Sequence, residues 1–111
     1  MSSEDCVGWY TISSGLSGKT MEAKYNLCGD YCTLSVQNLH LCDGWHDMFY
    51  SLPVAPVENS GVVGENSQGE LTYCATTIHE GVSVMKLHRA GVSNTGFKES
   101  TISFVLTYKY K

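Results

Sequence analysis

The chain has 111 residues, a length typical of one domain; 42% of them are hydrophobic and only 16% are charged. Its formal net charge is -4, and its seven basic residues are scattered along the sequence. This distribution excludes the basic stripe that nucleic acids and anionic membrane surfaces require, and no apolar run is long enough to span a bilayer.

The N-terminal sequence MSSEDCVGWY has neither a basic segment nor an apolar segment. It therefore predicts no signal peptide. The location expected from this feature is the cytoplasm, or the outside of the cell after secretion without a leader.

Alternation of apolar and polar residues predicts strands in the first third of the chain. We expect a first strand at 7–13, closed by a turn at 14–18, and a second strand at 21–27. The turn Gly29-Asp30 separates it from a third strand at 32–37, where Cys32, Leu34 and Val36 form the apolar side.

The stretch CDGWHDMFY, residues 42–50, gathers a thiol, two carboxylates, an imidazole and three aromatic rings. Asp43-Gly44 is typical of a turn, and we expect the stretch to lie at a strand edge. The following residues, 52–69, contain both prolines and three glycines and are predicted to be the least regular segment, with a short edge strand at Val62-Val63.

Three further strands are predicted in the last part of the chain. Residues 72–78 and 82–88 flank the short turn His79-Glu80-Gly81, and residues 101–110 alternate regularly after a loop at 90–96. In the first of these strands the apolar side is formed by Leu71, Tyr73 and Ala75. Seven or eight short strands predict an all-β fold, an antiparallel two-sheet β-sandwich forming a single domain over residues 1–111.

The five cysteines allow a zinc site as a minority interpretation. The spacing Cys28-x3-Cys32-x9-Cys42-x3-His46 supplies four suitable ligands. Because Cys32 and Cys42 also fit an apolar pattern, we favour reduced, buried thiols, and leave open a bridge from Cys28 to Cys32 or Cys42. No cofactor is expected, although the sequence leaves Ca2+ open.

Catalysis is weakly indicated. Cys42 and His46 could form a nucleophile–base pair, and Asp43 and Asp47 could be paired carboxylates. However, no motif supplies an oxyanion site, and so short a chain leaves little room for a deep cleft. We interpret the two aspartates as turn residues and expect no enzymatic activity.

A carbohydrate-binding site is the favoured interpretation of the same stretch. Sugars present an apolar face and hydroxyl groups, so their sites combine an aromatic ring with polar side chains that donate and accept hydrogen bonds. The alternative for Trp45 is a core position beside the Asp43-Gly44 turn. The predicted site residues are Tyr31, Asp43, Trp45, His46, Asp47, Asn66 and Asn94.

Two resemblances point the same way. The segment Val92-Ser-Asn-Thr-Gly-Phe-Lys98 resembles a late strand and loop of H-type lectins, and Asp5-Cys6, Trp9 and Tyr31-Cys32 are similar to the opening of that family. In size and strand succession the chain also resembles the small hemagglutinins of slime moulds. Both resemblances imply a β-sandwich lectin that recognises the sugars of glycoproteins.

The expected function is therefore that of a lectin in glycoprotein recognition or cell adhesion, with glycans as partners and with a homo-oligomer providing avidity. The alternative is a protein-binding module, such as a protease inhibitor or an adhesion domain. Such a module would use an edge strand or the 53–69 loop.

Overall fold

The protein folds as two packed antiparallel sheets in a computed structural model, which describes residues 10–16, 19–41, 47–90 and 98–111. Within these ranges there are eight strands and no helix. The strands are β1 Tyr10–Leu16, β2 Lys19–Cys28, β3 Tyr31–Leu41, β4 Asp47–Ser51, β5 Gly61–Glu65, β6 Leu71–His79, β7 Val82–Arg89 and β8 Ser100–Lys109. The predicted all-β sandwich is confirmed.

Each sheet contains four strands. Sheet A has the order β1-β2-β3-β8 and sheet B the order β4-β7-β6-β5. In sheet B the hairpin-connected strands β5, β6 and β7 are followed in space by β4, which is a Greek-key arrangement. β1 packs against β4 and β5 against β8, so the edges of the two sheets lie over one another.

Alternating burial shows how the core is built. Along β8 every second side chain is buried, and the inward residues of β3 face them from the neighbouring strand. Two-residue turns join β2 to β3 and β6 to β7; Glu80 and Gly81, in the second of these turns, have positive φ, at 52° and 81°. The buried apolar cluster comprises Ala23, Cys32, Leu34, Val36, Leu39, Leu41, Tyr50, Cys74, Met85, Leu87, Ile102, Phe104, Leu106 and Tyr108.

β3 runs further than the sequence predicts because it contains a bulge. The pairing with β8 shifts between Val36 and Leu39, and Asn38 adopts a left-handed φ of 53°. The Asn38 N–H donates to Ser103 Oγ at 2.9 Å. The bulge returns Leu39 and Leu41 to the buried side after the alternation has slipped.

The 53–69 segment is attached to β8. The Val57 N–H donates to the Lys109 carbonyl at 2.9 Å, Ser60 Oγ donates to the Thr107 carbonyl at 3.0 Å, and the Ser67 N–H donates to the Thr101 carbonyl at 2.9 Å. These bonds cover the open edge of β8. The predicted edge strand at Val62-Val63 corresponds to β5, the outer strand of sheet B.

The predicted orientation of β6 is wrong. Its inward residues are Thr72, Cys74 and Thr76, whereas Leu71 and Tyr73 point to solvent. The two threonine hydroxyls are satisfied locally, because Asn66 Nδ2 donates to Thr72 Oγ1 and Thr76 Oγ1 donates to Asn59 Oδ1. Hydroxyl groups that form hydrogen bonds can be buried in a core, so the polar side of β6 can face inward.

Within the described residues, no helix is long and apolar enough to cross a membrane.

Candidate functional site

The outward faces of the two sheets differ in chemistry. Sheet A presents mainly small polar side chains from β3 and β8, with Thr33 Oγ1 3.2 Å from Thr107 Oγ1 across the strands. Sheet B presents aromatic rings, imidazoles and charges. The group that we call the sheet B face consists of Asp47, Phe49, Val63, Tyr73, His79, Lys86 and His88.

Strand register brings these residues together from four separate parts of the chain. Asp47 of β4 pairs with His88 of β7, His88 pairs with Tyr73 of β6, and Tyr73 pairs with Val63 of β5. Directly paired residues in adjacent strands point to the same side of a sheet. One row of side chains therefore crosses the whole width of sheet B.

Asp47 is the ionic centre of this row. Its Oδ1 lies 2.6 Å from His88 Nδ1 and 3.9 Å from Lys86 Nζ, and all three side chains are partly exposed. A carboxylate hydrogen-bonded to one imidazole nitrogen fixes the orientation of the ring. Asp47 therefore holds His88 in place and partly compensates the charge of Lys86.

The Phe49 ring contacts His79 and lies close to Lys86. Its ring stacks on His79 with centroids 3.9 Å apart and planes 14° from parallel, and Lys86 Nζ lies 6.0 Å from its centroid. Phe49 belongs to β4 and His79 to β6, so this stack crosses β7. Val84 of β7 is only 9% exposed, although it shares the outward side with its partners Ser51 and Thr77.

Tyr73 is the open aromatic residue of the face. Its side chain is 44% exposed, and its ring lies 6.2 Å from that of His88 with the planes 22° apart. Val63 and Leu71 beside it are also exposed. Tyr73 can therefore present both apolar ring surface and a hydroxyl to a ligand.

Of the residues predicted from the sequence, Asp47 lies on the sheet B face. Asp43, Trp45, His46 and Asn94 lie outside the described residues, as do residues 92–97 and 5–9 of the resemblance to H-type lectins. The interpretation of Trp45 as a ligand contact or a core residue stays a prediction.

Tyr31 lies on the other side of the sandwich. It begins β3 and is 51% exposed, on the same outward side of sheet A as Thr33. It cannot contact one small ligand together with Asp47, because the two outward faces are separated by both sheets. We therefore leave Tyr31 out of the candidate site.

Asn66 has a structural role that the sequence interpretation did not include. Asn66 is only 4% exposed. Its Oδ1 accepts hydrogen bonds from the backbone N–H groups of Gln68 and Glu70, at 2.9 and 3.1 Å. Its Nδ2 donates to Glu70 Oε1 at 2.8 Å and to Thr72 Oγ1 at 3.3 Å. These four bonds use the hydrogen-bonding capacity of the amide, so the sugar-binding prediction for Asn66 is not supported.

Glu70, which accepts from Asn66, also forms an ion pair with the buried Arg89. Arg89 is almost fully buried and donates to Glu70 Oε1 from Nε at 3.1 Å and from Nη2 at 2.7 Å. Burial raises the pKa of Glu70, but the bonds from Asn66 and Arg89 and the charge of Arg89 outweigh it, so the pKa is lowered. The group fixes the end of sheet B.

The cysteines separate into two kinds. Cys32 and Cys74 are free and buried in the core, as expected for reduced thiols. Cys28 is disulfide-bonded, and its partner is not Cys32. In this state Cys28 cannot act as a zinc thiolate, and Cys42 and His46 lie outside the described residues, among which no three His, Cys, Asp or Glu side chains form a metal group.

The sequence interpretation passed over most of the sheet B face. The alternation predicts Tyr73 on an apolar side, and the pattern indicates His79 only as part of a turn. A usable signal was present in β7, where Lys86 and His88 alternate with Met85 and Leu87. It becomes informative only when the register places Asp47 and Tyr73 on either side of His88.

The protein is therefore a small antiparallel β-sandwich, and its sheet B face carries aromatic and polar side chains side by side. Comparison of the chain with protein-family models, with curated proteins and with solved structures finds no match.

Proposed function

We propose that the protein is a lectin that binds carbohydrate through the sheet B face. The observation that carries the proposal is the row Asp47–His88–Tyr73, in which an exposed tyrosine adjoins an imidazole held by a carboxylate. This function is the one expected from the sequence, but the proposed binding site lies on strands β4 to β7 and is not confined to residues 42–47.

The side chains of this row match the two surfaces of a sugar. The exposed ring of Tyr73 offers apolar contact for C–H groups, and its hydroxyl can donate and accept. Lys86 donates and the carboxylate of Asp47 accepts, so both kinds of hydroxyl interaction are represented within two adjacent rows. The contacts among Asp47, His88, Lys86 and Phe49 hold this surface in one arrangement before a ligand arrives.

The shape of the surface implies weak binding at each site. The residues stand on an open sheet, so a sugar would be covered from one side only and would bury little area. Useful avidity would require several copies or a multivalent glycan target. Glycoproteins and cell-surface glycans are such targets, and a homo-oligomer stays a prediction.

A glycan array tests the proposal directly. The purified protein, shown to be folded by circular dichroism, is applied with and without a chelator. We expect binding that free sugar competes away. Loss of binding in the presence of the chelator would show that binding also requires a metal such as Ca2+. A blank array at high concentration of folded protein would contradict the proposal.

A protein-binding module is the second candidate, and it is favoured by a specific feature. Val63 and Leu71 are exposed beside Tyr73 at the corner formed by β5 and β6. Exposed apolar residues at a sheet edge suit a protein partner. Leu71→Ser, a change outside the sheet B face, would weaken partner binding under this alternative, while sugar binding through Tyr73, His88 and Asp47 would persist under the first.

A further inference from the structure

The charged groups of sheet B indicate which kind of sugar its face would hold. We infer that the ligands are neutral glycans and not glycans that carry carboxylate or sulfate groups. This inference rests on the proposed function and specifies its ligand class.

Each strand contributes a known set of ionisable groups to the outward side. β4 supplies Asp47, β5 supplies Glu65, β6 supplies Tyr73 and His79, and β7 supplies Lys86 and His88. Lys86 is the one lysine or arginine among the outward residues of the four described strands, because Arg89 points inward. The face therefore has few cations with which to hold an anion.

Lys86 and the neighbouring imidazole of His88 already face a carboxylate. Lys86 Nζ lies 3.9 Å and His88 Nδ1 lies 2.6 Å from the same atom, Asp47 Oδ1. An anionic sugar would compete with Asp47 for both groups and would be repelled by Asp47 and Glu65. The net charge of -4 on the whole chain adds to this repulsion.

A neutral sugar meets no such penalty. A carboxylate accepts hydrogen bonds and donates none, so Asp47 offers a sugar hydroxyl an acceptor and no repulsion. Tyr73 contributes contact that does not depend on charge. The same arrangement that excludes acidic sugars is therefore compatible with neutral ones.

The test compares neutral and sulfated glycans on one array. For the wild-type protein we expect strong signals from neutral glycans and much weaker but measurable signals from sulfated or uronic-acid glycans. Asp47→Asn removes the carboxylate that faces Lys86, and we expect it to raise binding to sulfated glycans by about fivefold, the size of one exposed ionic interaction.

Glu65→Gln is the matched control, because it makes the same change in net charge on the same face without touching Lys86 or His88. Because Glu65 adds repulsion but does not face Lys86, we expect a clearly smaller gain for sulfated glycans in this variant than in Asp47→Asn. The gain in Asp47→Asn should disappear when Lys86→Gln is added. An equal gain in Glu65→Gln, or no gain in a folded Asp47→Asn protein, would overturn the inference.

A second measurement does not depend on the fold of any variant. Wild-type binding to its best glycan is measured at low and at high salt; a change below about twofold is expected for a neutral ligand, since salt screens ionic attraction. Wild-type binding to acidic glycans that equals or exceeds binding to neutral ones, or that falls steeply with salt, would overturn this inference alone. No signal for any glycan would overturn the proposed function itself.

Discussion

Single side chains in and beside the turn at 66–70 stabilise one end of sheet B through the ion pair between the buried Arg89 and the partly exposed Glu70. Burying the charge of Arg89 would be costly without a nearby carboxylate, and Glu70 supplies that carboxylate. Glu70 Oε1 also accepts a hydrogen bond from Asn66 Nδ2. The arrangement couples the turn at 66–70 to the last residue of β7. We expect its role to be stability, since the Arg89 side chain is buried and points away from the sheet B face.

Replacement of Glu70 by Gln tests this role. We expect the free energy of unfolding at neutral pH to fall by about 3 kcal/mol, because the buried Arg89 loses its counter-charge. Urea denaturation followed by circular dichroism measures the change. Glu58→Gln, in an exposed loop position, is the control and should leave the midpoint unchanged.

The same residue gives a pH dependence of known sign. The pKa of Glu70 is lowered in the folded protein from an ordinary value of 4.5, so its stabilisation is complete above that pH. It is lost as the pH falls through the folded pKa. The difference in stability between wild type and Glu70→Gln should therefore shrink below pH 4.5, and a difference that stays constant would contradict the assignment.

The two buried thiols should be chemically inert. Burial raises the pKa of Cys74 to about 12 and raises the pKa of Cys32, so neither forms the reactive thiolate at pH 8. We expect alkylation followed by peptide mass spectrometry to leave both unmodified in the folded protein and to modify both in urea. Labelling of Cys74 without denaturant would show that β6 opens locally or faces outward.

At the scale of elements, the β6–β7 turn places a glutamate in a backbone region that favours glycine and asparagine. Glu80→Asn should stabilise the protein by about 0.5 kcal/mol, whereas Gly81→Ala should destabilise it by about 1 kcal/mol, since alanine resists the positive φ. Urea midpoints measure both. Effects of the same sign in the two variants would exclude the turn geometry described here.

Strand existence was predictable from the sequence, but strand orientation was not always. The regular alternation of β8 gave both its extent and its buried side, because large apolar residues occupy one side throughout. β6 misled because its inward positions hold Thr72, Cys74 and Thr76, whose hydroxyls are satisfied by Asn66 and Asn59. β4 was not separated from its turn, because Asp47 to Ser51 shows no simple alternation.

At the scale of the whole molecule, the candidate site depends on tertiary structure. Asp47, Tyr73 and His88 come from three strands and become neighbours only because β7 lies between β4 and β6. No local pattern contains that Greek-key order. Asp47 could be predicted as a site residue because it lies in a stretch of unusual composition. Only the strand register shows that Tyr73 lies on the outward side of β6 and not in the core.

The most direct test of the central claim is a calorimetric titration of the best array glycan into wild type, Tyr73→Ala and Tyr31→Ala. The two tyrosines are similarly exposed and lie on opposite faces of the sandwich. We predict that Tyr73→Ala weakens binding at least tenfold, the equivalent of about 1.4 kcal/mol, and that Tyr31→Ala changes little. Unchanged affinity in folded Tyr73→Ala, or loss of binding only in Tyr31→Ala, would contradict a sugar site on the sheet B face.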